Sequence, residues 1–252
     1  MPTLPPGFDD CFRDIRESLR GVEGWLSDRE AQFLAMLAAC PTGEGHIVEI
    51  GSFRGRSTIA LAKAAALADG ATVHTVDIRP PAKLEMNLER AGVRDRVAVY
   101  HMRSQQMLAN WRRPVRLLWC DGPIDRATVS QDFELLRQYL VNGAVVAFHD
   151  VLNMSGARIW VFAEKVLQNP HFGPVGVCGS IGWGQFRADP RDAKPSACNK
   201  RLLHARLLRL YPFHESYMGR RPPWPARIHY KLLRSLIPHG RTDPREWIRK
   251  VA

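Results

Sequence analysis

The sequence predicts an α/β fold built on a doubly wound parallel sheet whose last two strands form an antiparallel hairpin. Three observations carry that expectation. Short, mostly apolar β-rich runs alternate with helical stretches from residue 46 onward, as strands covered on both faces should. A glycine-bearing turn joins the first run to the first helix of the series. The series closes on two strand-like segments separated by a turn short enough for a hairpin. The 252 residues suit one such domain with extensions, and 45% hydrophobic with 24% charged residues excludes a wholly disordered chain.

Ahead of the sheet, residues 12–19 and 28–39 read as two helices, with Ser27 and Asp28 supplying an N-cap and early negative charge. Five strands are expected at 46–50, 72–78, 96–102, 115–120 and 144–148. Helices are expected at 57–68, 82–91, 105–110 and 127–140, with Gly70, Gly92 and Gly143 as stops or turns. A further helix, 156–167, precedes the two hairpin strands at 175–178 and 182–187. Residues 190–195 then read as a linker, followed by two basic, leucine-rich helical stretches at 200–211 and 226–237. The chain therefore divides into N-terminal helices (1–40), a central sheet domain (41–189) and a basic helical extension (190–252).

The charge is unevenly placed. Residues 1–186 carry 20 Lys and Arg against 20 Asp and Glu, whereas residues 187–252 carry 16 against 5, so the whole +11 excess lies in the tail. That asymmetry marks the tail as the place for an anionic partner. The longest clean apolar run, residues 33–40, is far short of the ~18 residues that span a bilayer. The first residues lack the basic and apolar regions of a secretory signal. Five scattered cysteines without a CxxC spacing fit reduced thiols, so the expected location is cytoplasmic.

The informative stretch is Glu49-Ile50-Gly51-Ser52-Phe53-Arg54-Gly55-Arg56-Ser57-Thr58. Nucleotide-binding turns of the GxGxxG kind seat a pyrophosphate on the helix N-terminus. Here an acidic residue precedes the first glycine and the second glycine is set wider, an ExGxxxGxST pattern that suits a cationic ligand better than a pyrophosphate. Asp77, 26 residues after Gly51, ends the second expected strand, where a carboxylate can accept ribose hydroxyls. A ligand with a ribose, a positive centre and no phosphate is S-adenosylmethionine. From Ile47 to Arg187 the chain resembles the class I S-adenosylmethionine-dependent methyltransferases, in particular the branch of catechol-type and sugar or antibiotic O-methyltransferases. The resemblance implies a Rossmann-like, seven-stranded sheet. It implies that Glu49, Gly51, Ser52, Phe53, Gly55, Ser57 and Thr58 form the turn around the methionine moiety, and that Asp77 holds the ribose. Ser104 and Gln105 match the Ser-Gln pair that touches adenine in the catechol type; Ser104 also suits a helix N-cap.

The fourth and fifth expected strands end in Asp121 and in His149-Asp150. Strand ends of this kind open onto the ligand crevice of an α/β sheet. Two carboxylates and an imidazole suit a divalent cation, which would acidify an acceptor hydroxyl; magnesium is the expected ion, although an imidazole is less typical of it and leaves the metal open. In the resembled branch these positions bind the metal; the alternative is a metal-free site with His149 as the base. Relatives place a catalytic base just past the first aspartate, but Pro123 and Ile124 stand there and cannot take a proton, leaving Asp125 or His149. The tripeptide Asn153-Met154-Ser155 fits a glycosylation sequon only by accident in a cytoplasmic chain.

The tail admits three readings: helices packing on the domain or on a second subunit, an interfacial contact with an anionic membrane, or RNA binding. In the second stretch Ile228, Leu232, Leu233, Leu236 and Ile237 are expected on one apolar face, with Trp224, Tyr230 and Trp247 at a boundary. No RNA-binding signature accompanies the charge, which ranks that reading last. The expected activity is O-methylation of a sugar, glycan or related small molecule, the acceptor being relevant to polysaccharide biosynthesis. The alternatives are an RNA methyltransferase and a catalytically inactive scaffold of the same fold.

Overall fold

The computed structural model describes residues 3–78, 82–122, 125–154, 156–217, 220–239 and 243–251. Seven strands form one sheet: β1 (His46–Ile50), β2 (Val73–Asp77), β3 (Val97–His101), β4 (Val115–Cys120), β5 (Leu140–Phe148), β6 (Phe172–Cys178) and β7 (Ile181–Phe186). Their order is β3-β2-β1-β4-β5-β7-β6. The first five are parallel, and β7 runs antiparallel to both β5 and β6, so the doubly wound sheet with its terminal hairpin is present.

Alternation along each strand splits the core into two layers. Ile47, Val73, Leu117 and Val145 face α1 (Phe8–Ser18), α2 (Asp28–Ala39) and α3 (Arg56–Ala65), together with Leu84 and Leu88 of α4 (Lys83–Arg90). Val48, Val76, Leu118 and Val146 face α5 (Ser104–Ala109), α6 (Arg126–Arg137) and α7 (Arg158–Phe162), which continues as a π turn over Ala163–Leu167. Covering both faces explains why the strands read as continuous apolar runs rather than as alternating ones.

Three of the boundaries that differ from expectation have a clear structural cause. Helix α6 stops at Arg137, and Leu140 instead begins β5, pairing with Val115. Gly143 is therefore no helix stop; it lies inside β5 at φ 87, with its backbone against the Thr42 carbonyl where a Cβ has no room. Residues 190–195 are not a free linker. Asp189 caps a 3-10 turn, Pro190–Ser196, that buries Ala193 and runs directly into α8 (Ala197–Leu208).

The tail continues with α9 (Tyr211–Tyr217), α10 (Trp224–Ser235) and α11 (Glu246–Val251). It packs on the body through Leu203, Leu207, Leu210, Tyr230 and Ile237 on one face of the sheet and Trp247 on the other. The apolar face expected of α10 is mostly turned outward: Ile237 is buried, but Ile228, Leu232 and Leu236 are exposed, and Tyr230 is the residue that goes inside. Among the described residues no helix is long and apolar enough to cross a membrane.

Candidate active site

Strand order reverses between β1 and β4, and open α/β sheets bind ligands in the crevice at such a switch point. There a cleft of about 540 Å³ opens between the ends of β1, β2 and β4 and the loop before α2, within the roughly 300–1,000 Å³ usual for small-molecule sites. Gly51, Ser52, Phe53, Ser57, Asp77, Ser104, Gln105, Asp121 and Asp125 all line it.

The turn after β1 is shaped by the protein's own packing. A Cβ at Gly51 (φ 96) would stand 2.5 Å from the Gly122 amide nitrogen, so glycine lets the ends of β1 and β4 meet. Gly55 (φ 86) sits against Leu84 of α4 and bonds back to the Ser52 carbonyl at 2.7 Å. Phe53 takes the left-handed region at φ 44, and its amide donates to Asp77 Oδ2 at 3.1 Å, joining the two strand ends. Ser52 is 2% exposed and its hydroxyl has no hydrogen-bond partner, although it lies at the cleft wall. A buried hydroxyl left open in this way is completed by a ligand or by water.

Glu49 does not face the cleft. It is fully buried beneath the turn, where the Ser57 and Thr58 hydroxyls of α3 donate to it at 2.5 and 2.6 Å. Burial pushes its carboxyl up to about 7 against the pull of those two bonds. Both Glu49 and Thr58 are buried beneath the turn and bonded to each other. Ser104 is the first residue of α5 rather than its cap, because its hydroxyl reaches across to both oxygens of Asp132 at 2.9 Å. Gln105 also donates to Asp132. Burial pushes the Asp132 carboxyl up to about 6.

At the ends of β4 and β5, His149 Nδ1 is 3.0 Å from Asp121 Oδ1, while Nε2 points at Glu30 Oε2 across 3.8 Å and has no hydrogen-bond partner. Burial works against a charged imidazole, yet the Asp121 bond and the Glu30 carboxylate override it and raise His149 to about 10. Glu30 itself accepts from the amide and hydroxyl of both Ser27 and Ser180, at 2.7–3.0 Å. Burial would raise its carboxyl, but His149 and those donors hold it well below the usual range. Arg158, 4% exposed, donates to the Gly122 carbonyl at 2.6 Å and lies 3.7 Å from Asp121 and 3.8 Å from Asp150. Asp150 is strained at φ 56, which fixes its direction.

A family model described as a methyltransferase domain matches residues 48–151, the span from β1 to the residue after Asp150. Residues 48–151 are a methyltransferase domain. The chain is similar in fold to an O-methyltransferase from Bacillus cereus solved with S-adenosylhomocysteine, at 22% identity and TM-score 0.52 over 71% of this chain and 90% of that one. It is similar to the O-methyltransferase TomG of Streptomyces achromogenes, solved with S-adenosylmethionine and involved in tomaymycin synthesis, at 19% identity and TM-score 0.53 over 75% and 92%. The S-adenosylhomocysteine-bound methyltransferase PaMTH1 of Podospora anserina aligns at 15% identity and TM-score 0.53 over 73% and 88%. These likenesses extend the class I fold across the sheet.

Within the methyltransferase domain, Asp121, His149 and Asp150 do come together, with Arg158 beside both carboxylates. A buried guanidinium already stands between the two carboxylates, and the imidazole is held protonated by its neighbours. A metal would have to displace the first and deprotonate the second. Among the described residues no group of three or more His, Cys, Asp or Glu is placed to hold a metal. Asp125 caps α6, accepting from the Thr128 amide at 2.9 Å; that bond lowers its carboxyl and makes it a weak base. Pro123, Ile124 and Ser155 lie outside the described residues, so the departure after Asp121 and the sequon have no structural account here.

Three residues of the domain's surroundings escaped the sequence reading. Glu30 had a local signal, since Ser27-Asp28-Arg29-Glu30 is a capping box and both of its bonds form. Trp25 packs on Phe53 with ring centroids 5.2 Å apart and the planes tilted by 36°, and walls the cleft. Its loop is pinned by Arg56, which donates to the carbonyls of Leu19, Val22 and Leu26 at 2.9–3.0 Å. Arg158 gave no sequence signal, because only the turn of α7 onto the strand ends puts it there. A second cavity of about 640 Å³ opens on the far side of this cluster, with Glu30, Asp150 and Ser180 on one wall and α10 on the other.

Proposed function

We propose that the chain is an S-adenosylmethionine-dependent O-methyltransferase acting on a hydroxyl of a sugar, glycan or related small molecule that enters through the second cavity. The observation that carries this reading is the position of the Asp121, His149, Glu30 and Arg158 cluster between two cavities, Asp121 lining one and Glu30 with Asp150 lining the other. The cofactor fits the first cleft. Its volume is adequate, the Ser52 hydroxyl is open, and Asp77 sits where a ribose would be held, with Gln105 beside the base. When bound, S-adenosylmethionine supplies an electrophilic methyl group. Asp150 is the carboxylate that takes the acceptor's hydroxyl proton. The His149 imidazolium and the Arg158 guanidinium favour the anionic oxygen that this leaves, the part expected of a metal. Both charges are fixed before the acceptor arrives, so little reorganisation is required.

Titration with S-adenosylhomocysteine, with magnesium and then with a chelator, tests the reading. Equal micromolar binding in both conditions, with turnover lost in Asp150→Asn, supports it. Absence of binding in both would leave a scaffold of the same fold and remove the enzyme reading.

The outer face of α10 favours a second part to the proposal, that the tail rests on an anionic membrane at its cytoplasmic side. Trp224, Ile228, Leu232 and Leu236 recur every four residues and are 71%, 47%, 63% and 50% exposed, so they form one apolar stripe. The tail that carries the stripe also holds the chain's whole +11 excess of charge. Co-sedimentation with phosphatidylglycerol vesicles should fall sharply in a Trp224→Ser, Leu232→Ser variant; equal sedimentation of variant and parent would reject it.

A further inference from the structure

The second cavity has a charge pattern of its own. Its tail-side wall carries Arg220, Arg227, Lys231 and Arg234, the last three at helical spacing on α10. Its body-side wall carries the carboxylates of Glu30 and Asp150. Those carboxylates already face cations, His149 at 3.8 Å from Glu30 and Arg158 at 3.8 Å from Asp150. The four cations opposite have no ion-pair partner among the described residues; Arg234 only donates to His239 Nε2 at 3.2 Å. Several of the body's arginines are matched, as in Arg116 with Asp69 or Arg126 with Glu164. A concave wall of one sign with no internal counter-charge focuses potential and recruits an anion.

The wall is also held in place. Tyr230, 4% exposed, sits on α10 between Arg227 and Lys231. Its hydroxyl donates to the Leu152 carbonyl at 2.9 Å and lies 3.0 Å from His214 Nε2, while His214 Nδ1 is 2.8 Å from the Gly156 carbonyl. This buried chain fastens α9 and α10 onto the loop that follows Asp150. The cations are therefore presented over the site by a fixed strut.

We infer that this cavity binds an oxyanion carried by the acceptor, a phosphate or pyrophosphate ester, with the arginine forks on the anion and the acceptor's hydroxyl directed at Asp150. The inference rests on the reading of this cavity as the acceptor's entrance. Guanidinium groups match the geometry of phosphate oxygens, and more than one cation is needed for a group of charge near −2. The same chemistry could come from a soluble sugar phosphate or from the phosphate of a lipid-linked one, and the experiment separates them.

Inorganic pyrophosphate is the probe, titrated calorimetrically against the full chain saturated with S-adenosylhomocysteine. The paired variants are Arg227→Gln with Lys231→Gln at the wall, and Arg201→Gln with Arg209→Gln on exposed positions of the tail away from it. The expected result is saturable binding that weakens at least tenfold in the first pair and by less than twofold in the second. S-adenosylhomocysteine affinity should stay within twofold in both, which also reports that the fold is intact. Glucose 1-phosphate competing for pyrophosphate would indicate a soluble source. Competition only by vesicles containing a phosphoryl lipid would indicate a lipid source. Either supports the inference. No pyrophosphate binding while S-adenosylhomocysteine binds, or equal loss in both variant pairs, overturns it. A wall pair that keeps pyrophosphate but loses vesicle binding also overturns it, since those side chains would then face a bilayer. Failure of S-adenosylhomocysteine to bind would instead strike the methyltransferase reading.

Discussion

Glu30, at the third position of α2, lies 3.8 Å from the Nε2 atom of His149, at the end of β5. The contact couples the helix that follows the cleft-lining loop to the strand ends where chemistry is expected. It also decides the charge of the imidazole, since Glu30 and Asp121 together hold it protonated. His149 is raised from 6.5 to about 10, so its stabilising effect is complete below about pH 6.5 and is lost as pH rises through about 10. In Glu30→Gln, which keeps an amide oxygen for the cap, the imidazole's titration should move down by at least one unit. The alkaline loss of thermal stability should then begin earlier. Histidine proton shifts between pH 6 and 11 read this directly, and an unchanged titration would sink the pairing.

Arg158 in place of a metal makes a separate prediction. Arg158→Gln leaves Asp121 and Asp150 facing each other without the buried cation, and should cost on the order of 2 kcal/mol in urea unfolding at pH 7. Methyl transfer should drop by about two orders of magnitude, as for loss of one electrostatic stabiliser, whereas a chelator should leave the parent's rate unaltered. A rate that falls with chelator and recovers with magnesium would show that the guanidinium moves aside for an ion.

The sheet was legible in the sequence because burial on both faces writes a continuous apolar run, and β1 and β4 fall at their expected limits. Helix α2 was legible through its cap. The errors have a common cause, which is that a residue's partner is distant in sequence. Leu140 reads as helical until Val115 pairs with it, and Gly143 reads as a stop until Thr42 is placed beside it. In the same way the ExGxxxGxST turn does lie at a cleft, but Glu49 is buried beneath it, bonded to Ser57 and Thr58, which their spacing alone did not indicate. Arg158 is invisible locally, because only the turn of α7 brings it to Asp121 and Asp150.

The turn itself predicts a split between binding and stability. The Ser52 hydroxyl has no partner in the protein, so Ser52→Ala should leave the melting temperature within a degree or so while weakening S-adenosylhomocysteine roughly three- to tenfold, the effect of one hydrogen bond. Asp77→Asn keeps an oxygen for the Phe53 amide but removes the charge-assisted acceptor, and should weaken binding more than tenfold. Calorimetry and melting on the same samples make the comparison. Loss of stability without loss of affinity in Ser52→Ala would mean that the hydroxyl belongs to the fold.

On β2, between the β3 and β1 strands, His74 is almost fully buried between Tyr100 and His46, with ring-nitrogen contacts of 3.1 Å to each and Arg113 at 3.5 Å. Burial lowers it to about 4, helped by the neighbouring His46 and Arg113 charges. The unfolded chain therefore binds a proton between about pH 6.5 and 4 that the folded chain refuses, and stability must fall as pH falls through that window. The loss should be of order 2–3 kcal/mol. His74→Gln cannot titrate yet can still bond to Tyr100, so its acid limb should be flatter by that amount even if its stability at pH 8 is lower. Urea midpoints at half-unit steps from pH 8 to 4 give both slopes. Parallel curves for parent and variant would mean that the acid sensitivity resides elsewhere, with His214, also lowered by burial, the next group to test.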